Sequence, residues 1–390
     1  MKRKMLSISL LLAALLMGCT EELPYKKKVK FDVTSKDLID TKSTYLYVPV
    51  VVDTLRTSTA TRPHWVGLEK KVKFQFTENS LDLVQIEADD RFNDNPTNKK
   101  PVLSIPVTHV DYRCTEDDYG DCQNKEEEND DKHWSKRKYF VPDLTGLTID
   151  EVNFLPISLQ NLFGGCYSNG ATEPKSFKLN DKGLVIEIEQ NLKTQGQCAG
   201  FLNDLEDLSN LSFKVQYTYN ILKLDSISSP TCDPKVPVSK QPSNCYSVVE
   251  YPRERDENVF GFFNTESRVL DVDNHDNQDG VSFKLNRFNP KRKVIPYYLS
   301  NGFFKPENAA IKEATYEGFN RINNALRESD SGLQLEIVEE KGLNPGDITK
   351  NMIIMVEDPV AAGLLGYGPS IANPDTGEIL HARTVMYLGT

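Results

Sequence analysis

The stretch Val294-Ile-Pro-Tyr-Tyr-Leu299 opens a part of the chain whose pattern differs from that of the residues before it. Its apolar and aromatic residues predict a strand. Pro306 and Glu307 then predict a helix, because proline is favoured in the first turn and an acidic residue there suits the helix dipole. An apolar stripe follows at steps of three and four residues, which is typical of an amphipathic helix; it comprises Ile311, Thr315, Phe319, Ile322 and Leu326.

Three more strands are predicted after this helix, which gives the order β-α-β-β-β. Leu333 to Val338 alternates, Met352 to Val356 is fully apolar, and Ile379 to Leu388 is the last strand. Strands with little alternation predict a sheet that is buried on both faces. One helix offers too little apolar surface to cover such a sheet. We therefore expect an incomplete α/β subdomain over residues 288–390, with an exposed apolar sheet face.

Residues 31–287 show mainly the period-two alternation of strands. Tyr45 to Val52 is a dense β-type run, and Val72, Phe74 and Phe76 alternate with polar residues. We predict a β-rich accessory region stapled by disulfides, which is either sandwich-like or made of two small β modules.

The N-terminus predicts export. Lys2-Arg3-Lys4 precedes an uncharged run, Met5 to Met17, that is too short to cross the ~30 Å bilayer core, so residues 1–18 are interpreted as a signal peptide. Leu16-Met17-Gly18-Cys19 resembles the lipobox of bacterial lipoproteins, which implies lipidation of Cys19. Residues 19–30 would then be a tether, and Thr20 favours the outer membrane of a Gram-negative cell envelope. An ordinary secretory signal, cut nearby, is the alternative.

Charge and cysteine content narrow the function classes. The 57 acidic residues exceed the 46 basic ones, for a net charge of −11, and a chain without a basic stripe is a poor nucleic-acid binder. With Cys19 lipidated, six of the seven cysteines remain, and an even set in an exported protein predicts disulfides. A zinc site is disfavoured because no C-x-x-C spacing occurs. The simplest pairing is sequential: Cys114–Cys122, Cys166–Cys198 and Cys232–Cys245.

Two acidic stretches have some features of calcium-binding loops. Glu116 to Asp131 carries nine carboxylates, which is more typical of a solvated, mobile loop. Asp271 to Asp276 begins like a calcium-binding loop but lacks glycine at the sixth place and glutamate at the twelfth, where Ser282 stands. We expect calcium at neither stretch.

Val294 to Leu388 resembles the opening of the catalytic domain in a bacterial family of zinc-dependent metallopeptidases of the metzincin kind. The matching segments are Val294–Leu299, Ala310–Asn320, Gly366-Tyr-Gly-Pro-Ser370 and Asn373-Pro-Asp-Thr-Gly-Glu-Ile-Leu380. The last is close to the family's D-P-R-T-G-E-I-L. Asn373, Asp375 and His381 depart from the pattern, which has Asp, Arg and a small residue at these places.

The resemblance implies a zinc-binding H-E-x-x-H helix beyond these elements, with the glutamate as general base. None of the five histidines here is followed by that motif, and no two stand four residues apart. No catalytic, cofactor-binding or metal-binding residue is therefore carried over, and the chain alone is expected to be inactive. The resemblance does imply a possible substrate-binding edge strand, formed by Ile379, Leu380, His381, Ala382 and Arg383.

These observations predict the N-terminal portion of an exported lipoprotein zinc metallopeptidase, a hydrolase that would be truncated in this sequence. Zinc and a peptide or protein substrate would belong to the complete enzyme, and the membrane would be contacted through the N-terminal lipid. The alternative is a non-enzymatic cell-envelope lipoprotein that acts in binding or in envelope structure.

Overall fold

The computed structural model describes residues 33–54, 63–67, 69–86, 101–149, 167–194, 212–250, 263–268, 281–357 and 365–388. The predicted signal peptide, Cys19, the tether and the Asp271 to Asp276 stretch lie outside these ranges, as do Cys166 and Cys198. No helix within the described ranges is both long and apolar enough to cross a lipid bilayer.

In chain order, the strands are β1 (Thr34–Ser35), β2 (Tyr45–Asp53), β3 (Lys70–Phe76), β4 (Ser80–Gln85), β5 (Pro101–Val110), β6 (Tyr112–Glu116), β7 (Cys122–Glu128), β8 (Tyr139–Pro142), β9 (Thr148–Ile149), β10 (Tyr167–Asn180), β11 (Gly183–Thr194), β12 (Ser212–Lys223), β13 (Asn264–Arg268), β14 (Val281–Leu285), β15 (Val294–Leu299), β16 (Gln334–Val338), β17 (Asn351–Val356), β18 (Gly366–Tyr367), β19 (Ser370–Ala372) and β20 (Ile379–Tyr387). The α-helices are α1 (Leu224–Ile227) and α2 (Ala309–Glu328). Short 3-10 turns are formed by Lys36–Leu38, Trp134–Lys136, Leu144–Gly146, Val238–Lys240, Pro290–Arg292, Asn301–Phe304 and Pro306–Asn308.

The described residues divide into two compact units, one made of residues 33–35 and 109–141, and the other of the described residues within 36–108 and 142–388. In the first unit, β6 and β7 form an antiparallel hairpin closed by the Cys114–Cys122 disulfide. Arg113 donates to Glu127 Oε1 at 2.7 Å and to Asp131 Oδ2 at 2.6 Å. The prediction of a mobile loop over Glu116 to Asp131 is therefore wrong for β7, because backbone pairing and Arg113 order part of this acidic stretch.

The second unit begins with an antiparallel sheet in the order β9-β5-β4-β3-β2-β12-β11-β10. Its central strand β2 is buried over Tyr45 to Val51, as its dense apolar pattern predicts. The chain is β-rich and this antiparallel sheet is curled, so the prediction of a β-rich accessory region is confirmed.

Two of the expected disulfides are present. Cys114 is joined to Cys122, and Cys232 is joined to Cys245. Both pairs follow the sequential pairing, while the pairing of Cys166 with Cys198 stays a prediction.

A second sheet in the same unit has the order β16-β15-β17-β20-β18. β16, β15, β17 and β20 run parallel to one another, and β18 and β19 pair antiparallel to β20. The helix α2 connects β15 to β16 and begins at Ala309, after the 3-10 turn Pro306–Asn308. The strands and the helix predicted from the sequence thus occur in the expected order, with β18 and β19 in addition.

Both faces of β17 are buried. Ile353 and Met355 point to the face that α2 covers with Ile311, Tyr316 and Phe319. Met352, Ile354 and Val356 point to the opposite face, where they cluster with Val385 and Tyr387 of β20. This strand therefore needs cover on two sides, as its unbroken apolar sequence predicts.

The second face is covered by the first part of the same unit. Trp65 stacks on Tyr367 with ring centroids 4.6 Å apart, and the Tyr387 hydroxyl donates to Pro63 O at 3.2 Å. Ile348 and Ile371 join a cluster with Leu46, Val48, Val50, Val66, Leu222 and Leu224. The expectation of an exposed sheet face is thus wrong for the described residues, because residues from the earlier strands pack on the face that the helix does not cover. Whether residues 31–287 and 288–390 are separate domains stays a prediction.

The contact between these two parts leaves no room for a side chain at Gly346. Asn220, which is fully buried in β12, donates to Gly346 O at 2.9 Å and to Val48 O at 3.2 Å. A Cβ at Gly346 would lie 2.2 Å from Thr218 Oγ1 and 2.8 Å from Val52 Cγ2. Close packing thus requires glycine here.

We expect Gly346→Ala to lower the free energy of unfolding by about 1–3 kcal/mol, because the added methyl group overpacks the contact. Gly318→Ala is the matched control: its Cβ would meet nothing within 4 Å, and alanine in a helix is favoured over glycine by about 0.5–1 kcal/mol. Urea unfolding measures both. Equal midpoints for the two variants would contradict this account of the contact.

Candidate functional site

The motif Asn373 to Ile379 forms a tight turn that leads into β20. Asn373 Oδ1 accepts from Asp375 N at 2.8 Å, and Asn373 O accepts from Gly377 N at 2.8 Å. Gly377 has a φ of 75°, which glycine adopts without strain. Asp375-Thr376-Gly377 therefore lies in a turn.

Asn373 and Asp375 both have structural roles here. Asn373 accepts a hydrogen bond within the turn through its side-chain oxygen, and an aspartate at this position could accept the same bond. Asp375 pairs with Lys71 of β3, with 2.9 Å between Nζ and Oδ1. Asp375 therefore joins this turn to the first sheet through an ion pair.

Glu378 is the buried charged residue at the end of the turn. Its side chain is fully buried and accepts from Ser229 N and Ser229 Oγ, both at 2.7 Å. Arg292 Nη2 lies 3.2 Å from Glu378 Oε1. Burial of a carboxylate without partners is unfavourable, but the charge-assisted contacts with Ser229 and Arg292 give the Glu378 carboxylate its hydrogen-bond donors.

The hydrogen bonds around Glu378 form a network that continues through Asn289. The side-chain amide of Asn289 donates to Ser229 Oγ and to Asn244 O, each at 2.8 Å, and Asn289 is 1% exposed. The network therefore connects the turn before β20 with the disulfide-bonded segment that contains Cys232 and Cys245.

The strand β20 is interior, not an edge. β17 pairs with it from Arg383 to Tyr387, while β18 and β19 pair with it on the other side. Of the five residues expected to form an edge strand, Ile379, Leu380, His381, Ala382 and Arg383, the β17 ladder reaches only Arg383, and β19 pairs with the part of the strand from Ile379 to Ala382. Their role in substrate binding stays a prediction.

His381 and Arg383 form a buried polar pair on β20. They are 1% and 2% exposed, and Arg383 Nε donates to His381 Nε2 at 3.1 Å. Burial lowers the pKa of His381 well below its ordinary value, and the charge of Arg383 lowers it further. Burial also lowers the pKa of Arg383 to about 10, although the electrostatic interactions with Tyr367 and Asp347 act to raise it. His381 is thus held neutral, as a hydrogen-bond acceptor.

The arrangement at His381 does not fit a zinc site. Its Nε2 faces the Arg383 guanidinium instead of two further ligands, whereas structural or catalytic zinc needs three or four donors. Throughout the described ranges, no group of three or more His, Cys, Asp or Glu side chains could hold a metal ion.

The two edges of the second sheet differ in the partners of their outward-pointing backbone groups. At β16, Asn323 of α2 accepts from Leu335 N and donates to Leu335 O, both at 2.8 Å, so this edge is closed by a side chain. A polar groove of about 590 Å³ lies beside it, between α2 and the start of β16.

At the other edge, Leu365 O and Pro369 O accept from β20. Because backbone groups alternate in direction along a strand, those of Gly366 and Gly368 point away from β20. Both glycines are exposed, and no strand among the described residues pairs with β18 on that side.

Comparisons with protein-family models, with curated proteins and with solved structures found no match to this chain.

Sequence reasoning did not identify Glu378, Ser229 or Arg292 as a group. The three residues lie far apart in the chain, and only Glu378 belongs to a motif that the sequence shows. A lone acidic residue after Thr-Gly gives no sign that it will be fully buried. The spacing of residues along the chain does not indicate that Ser229 and Arg292 are the partners of Glu378.

We expect Glu378→Gln to lower the free energy of unfolding by about 1.5–3 kcal/mol, because an amide loses the charge-assisted bonds and puts an N–H against the donors. Glu339→Gln is the control, since Glu339 is a partly exposed partner of Lys312 and such pairs contribute less than about 1 kcal/mol. Urea unfolding followed by circular dichroism measures the difference. A Glu378→Gln midpoint no lower than that of Glu339→Gln would show that the network is dispensable.

The lowered pKa of His381 predicts that the free energy of unfolding falls in acid. Because its pKa is lowered in the folded state, the unfolded state binds the proton more readily, so stability is retained above the ordinary pKa of about 6.5 and falls as the pH drops below it. His381→Gln keeps an acceptor for Arg383 but cannot be protonated. We expect the variant to lose less stability between pH 6.5 and 4.5, by up to about 1.4 kcal/mol per pH unit. Parallel pH profiles of the two proteins would contradict this.

Proposed function

We propose that this chain is the N-terminal portion of an exported lipoprotein zinc metallopeptidase, whose complete form hydrolyses peptide bonds with a zinc-bound water. The supporting observation is the second sheet: four parallel strands and one helix occur where the family resemblance expects them, and the Asn373 to Leu380 motif forms the turn before β20. In this proposal, residues 288–390 are an incomplete metzincin-like subdomain.

The first part of the chain serves as an accessory scaffold in this proposal. It covers one face of the second sheet through Trp65 and the cluster around Val48, and it contacts Glu378 through Ser229. A sandwich-like accessory region with these contacts would fix the position of β20. Lipidation at Cys19 would place the protein on the cell envelope, in the outer membrane.

Substrate would bind in extended form at the β18 edge in this proposal. Strand addition needs backbone N–H and C=O groups that have no partner strand, and Gly366 and Gly368 direct theirs outward. Glycine in a strand also permits the close approach of another backbone. The β16 edge is unsuited, because Asn323 already occupies the outward groups of Leu335.

The alternative is a non-enzymatic envelope lipoprotein that acts by binding or by structural support. The observation that favours it is the donor set of this chain, in which His381 accepts from Arg383 and His133 contacts Ser135. Neither histidine is arranged with further ligands. The alternative retains the same scaffold and the same open edge but needs no zinc.

Zinc content and proteolysis distinguish the two functions. We expect residues 19–390 to hold well below one zinc per chain and to leave casein intact, because no His pair stands at i, i+4. If the reading frame of the gene extends into His-Glu-x-x-His, the longer product should bind one zinc and cleave casein, and changing that glutamate to glutamine should abolish cleavage only.

The measurements are metal analysis after gel filtration and a casein digestion assay. One tightly held zinc on residues 19–390 would refute the expectation for this chain. A longer product with the motif but without zinc or cleavage would leave the binding function in place of the peptidase.

A further inference from the structure

A lysine lies against both sulfur atoms of the Cys232–Cys245 disulfide. Lys291 Nζ is 2.9 Å from Cys245 Sγ and 3.4 Å from Cys232 Sγ. The two sulfurs differ in access, because Cys245 is fully buried, whereas Cys232 is half-buried between exposed neighbours. One sulfur is therefore open to attack, and the other lies beside a positive charge.

We propose that Cys232–Cys245 is a thiol–disulfide exchange site that takes electrons from an external dithiol. A thiolate of the dithiol attacks Cys232 Sγ, the disulfide bond breaks, and Cys245 leaves as a thiolate next to the Lys291 ammonium. The second thiol of the reductant loses its proton and attacks the mixed disulfide, which releases Cys232. Two electrons thus pass to the protein, the dithiol becomes a disulfide, and its two protons go to solvent or to the new thiolates.

Lys291 speeds this reaction by stabilising the leaving sulfur. A neighbouring lysine favours a thiolate over a thiol, and a better leaving thiolate makes exchange faster. Gln241 Oε1, at 3.3 Å from Cys245 Sγ, is a neutral dipole that acts in the opposite direction. The full charge of Lys291 is closer and outweighs it.

The surrounding segment does not depend on the disulfide to keep its shape. Cys232 N donates to Tyr246 O, and Tyr246 N donates to Pro230 O, both at 2.8 Å. Ser229, just before them, is held by Glu378. Reduction therefore leaves the two cysteines close together, and the bond can form again.

The other disulfide is an internal reference. Across β6 and β7, Cys114 stands opposite Glu126, and Cys122 stands opposite Glu116. The register thus places an acidic residue opposite each of these cysteines, and a neighbouring carboxylate disfavours a leaving thiolate.

The test is the rate of reduction of each disulfide by dithiothreitol. Samples are quenched with acid, alkylated and digested, and mass spectrometry quantifies both pairs. We expect Lys291→Gln to slow reduction of Cys232–Cys245 roughly five- to tenfold and to leave the Cys114–Cys122 rate unchanged. Lys291→Arg keeps the charge and should react within about twofold of the native rate. Lys293→Gln is the control for a nearby lysine.

An unchanged rate in Lys291→Gln, or an equally slow Lys291→Arg, would overturn the role of the charge. The point of attack is measured in the native protein, independently of any variant, by brief exposure to glutathione and acid quenching. A mixed disulfide on Cys232 supports the proposal, and one on Cys245 refutes it. Loss of the native circular dichroism spectrum on reduction would refute reversible exchange.

Discussion

The apolar strand β17 requires cover on both of its faces, and the rest of the second unit is arranged around that constraint. Its side chains alternate between a cluster under α2 and a cluster that includes Val385 and Tyr387. The hydrophobic effect scales with the area removed from water, so neither face is stable when left exposed. The first sheet supplies the second cover, and the two parts of the chain therefore share a core.

Polar contacts fix the register of that apolar contact. Burial alone is non-directional, whereas Glu378, Asn220 and Lys71 each form bonds that only one arrangement satisfies. Glu378 is the most demanding of them, because a fully buried carboxylate without donors would be strongly unfavourable. The turn before β20, the Ser229 segment and Arg292 are consequently positioned by one side chain.

The functional interpretation changes with this arrangement. β20 carries the residues that the family resemblance singled out, yet it lies inside the sheet, with His381 and Arg383 buried. Among the described residues, neither Nη atom of Arg383 has a hydrogen-bond partner, which costs stability unless water or an ion is present. Among the described residues, no strand pairs with β18 on the side of Gly366 and Gly368.

Periodicity and cysteine spacing are local signals, and from them the sequence predicts the β-rich first region, the sequential pairs Cys114–Cys122 and Cys232–Cys245, and the amphipathic helix. The folded chain adds what no local signal contains: the first sheet covers the second, β20 is interior, β7 forms from an acidic stretch, and Glu378 contacts Ser229 and Arg292. These outcomes depend on contacts between residues far apart in the chain. One sequence shows which side chains need burial or a partner, but not which distant segment provides it.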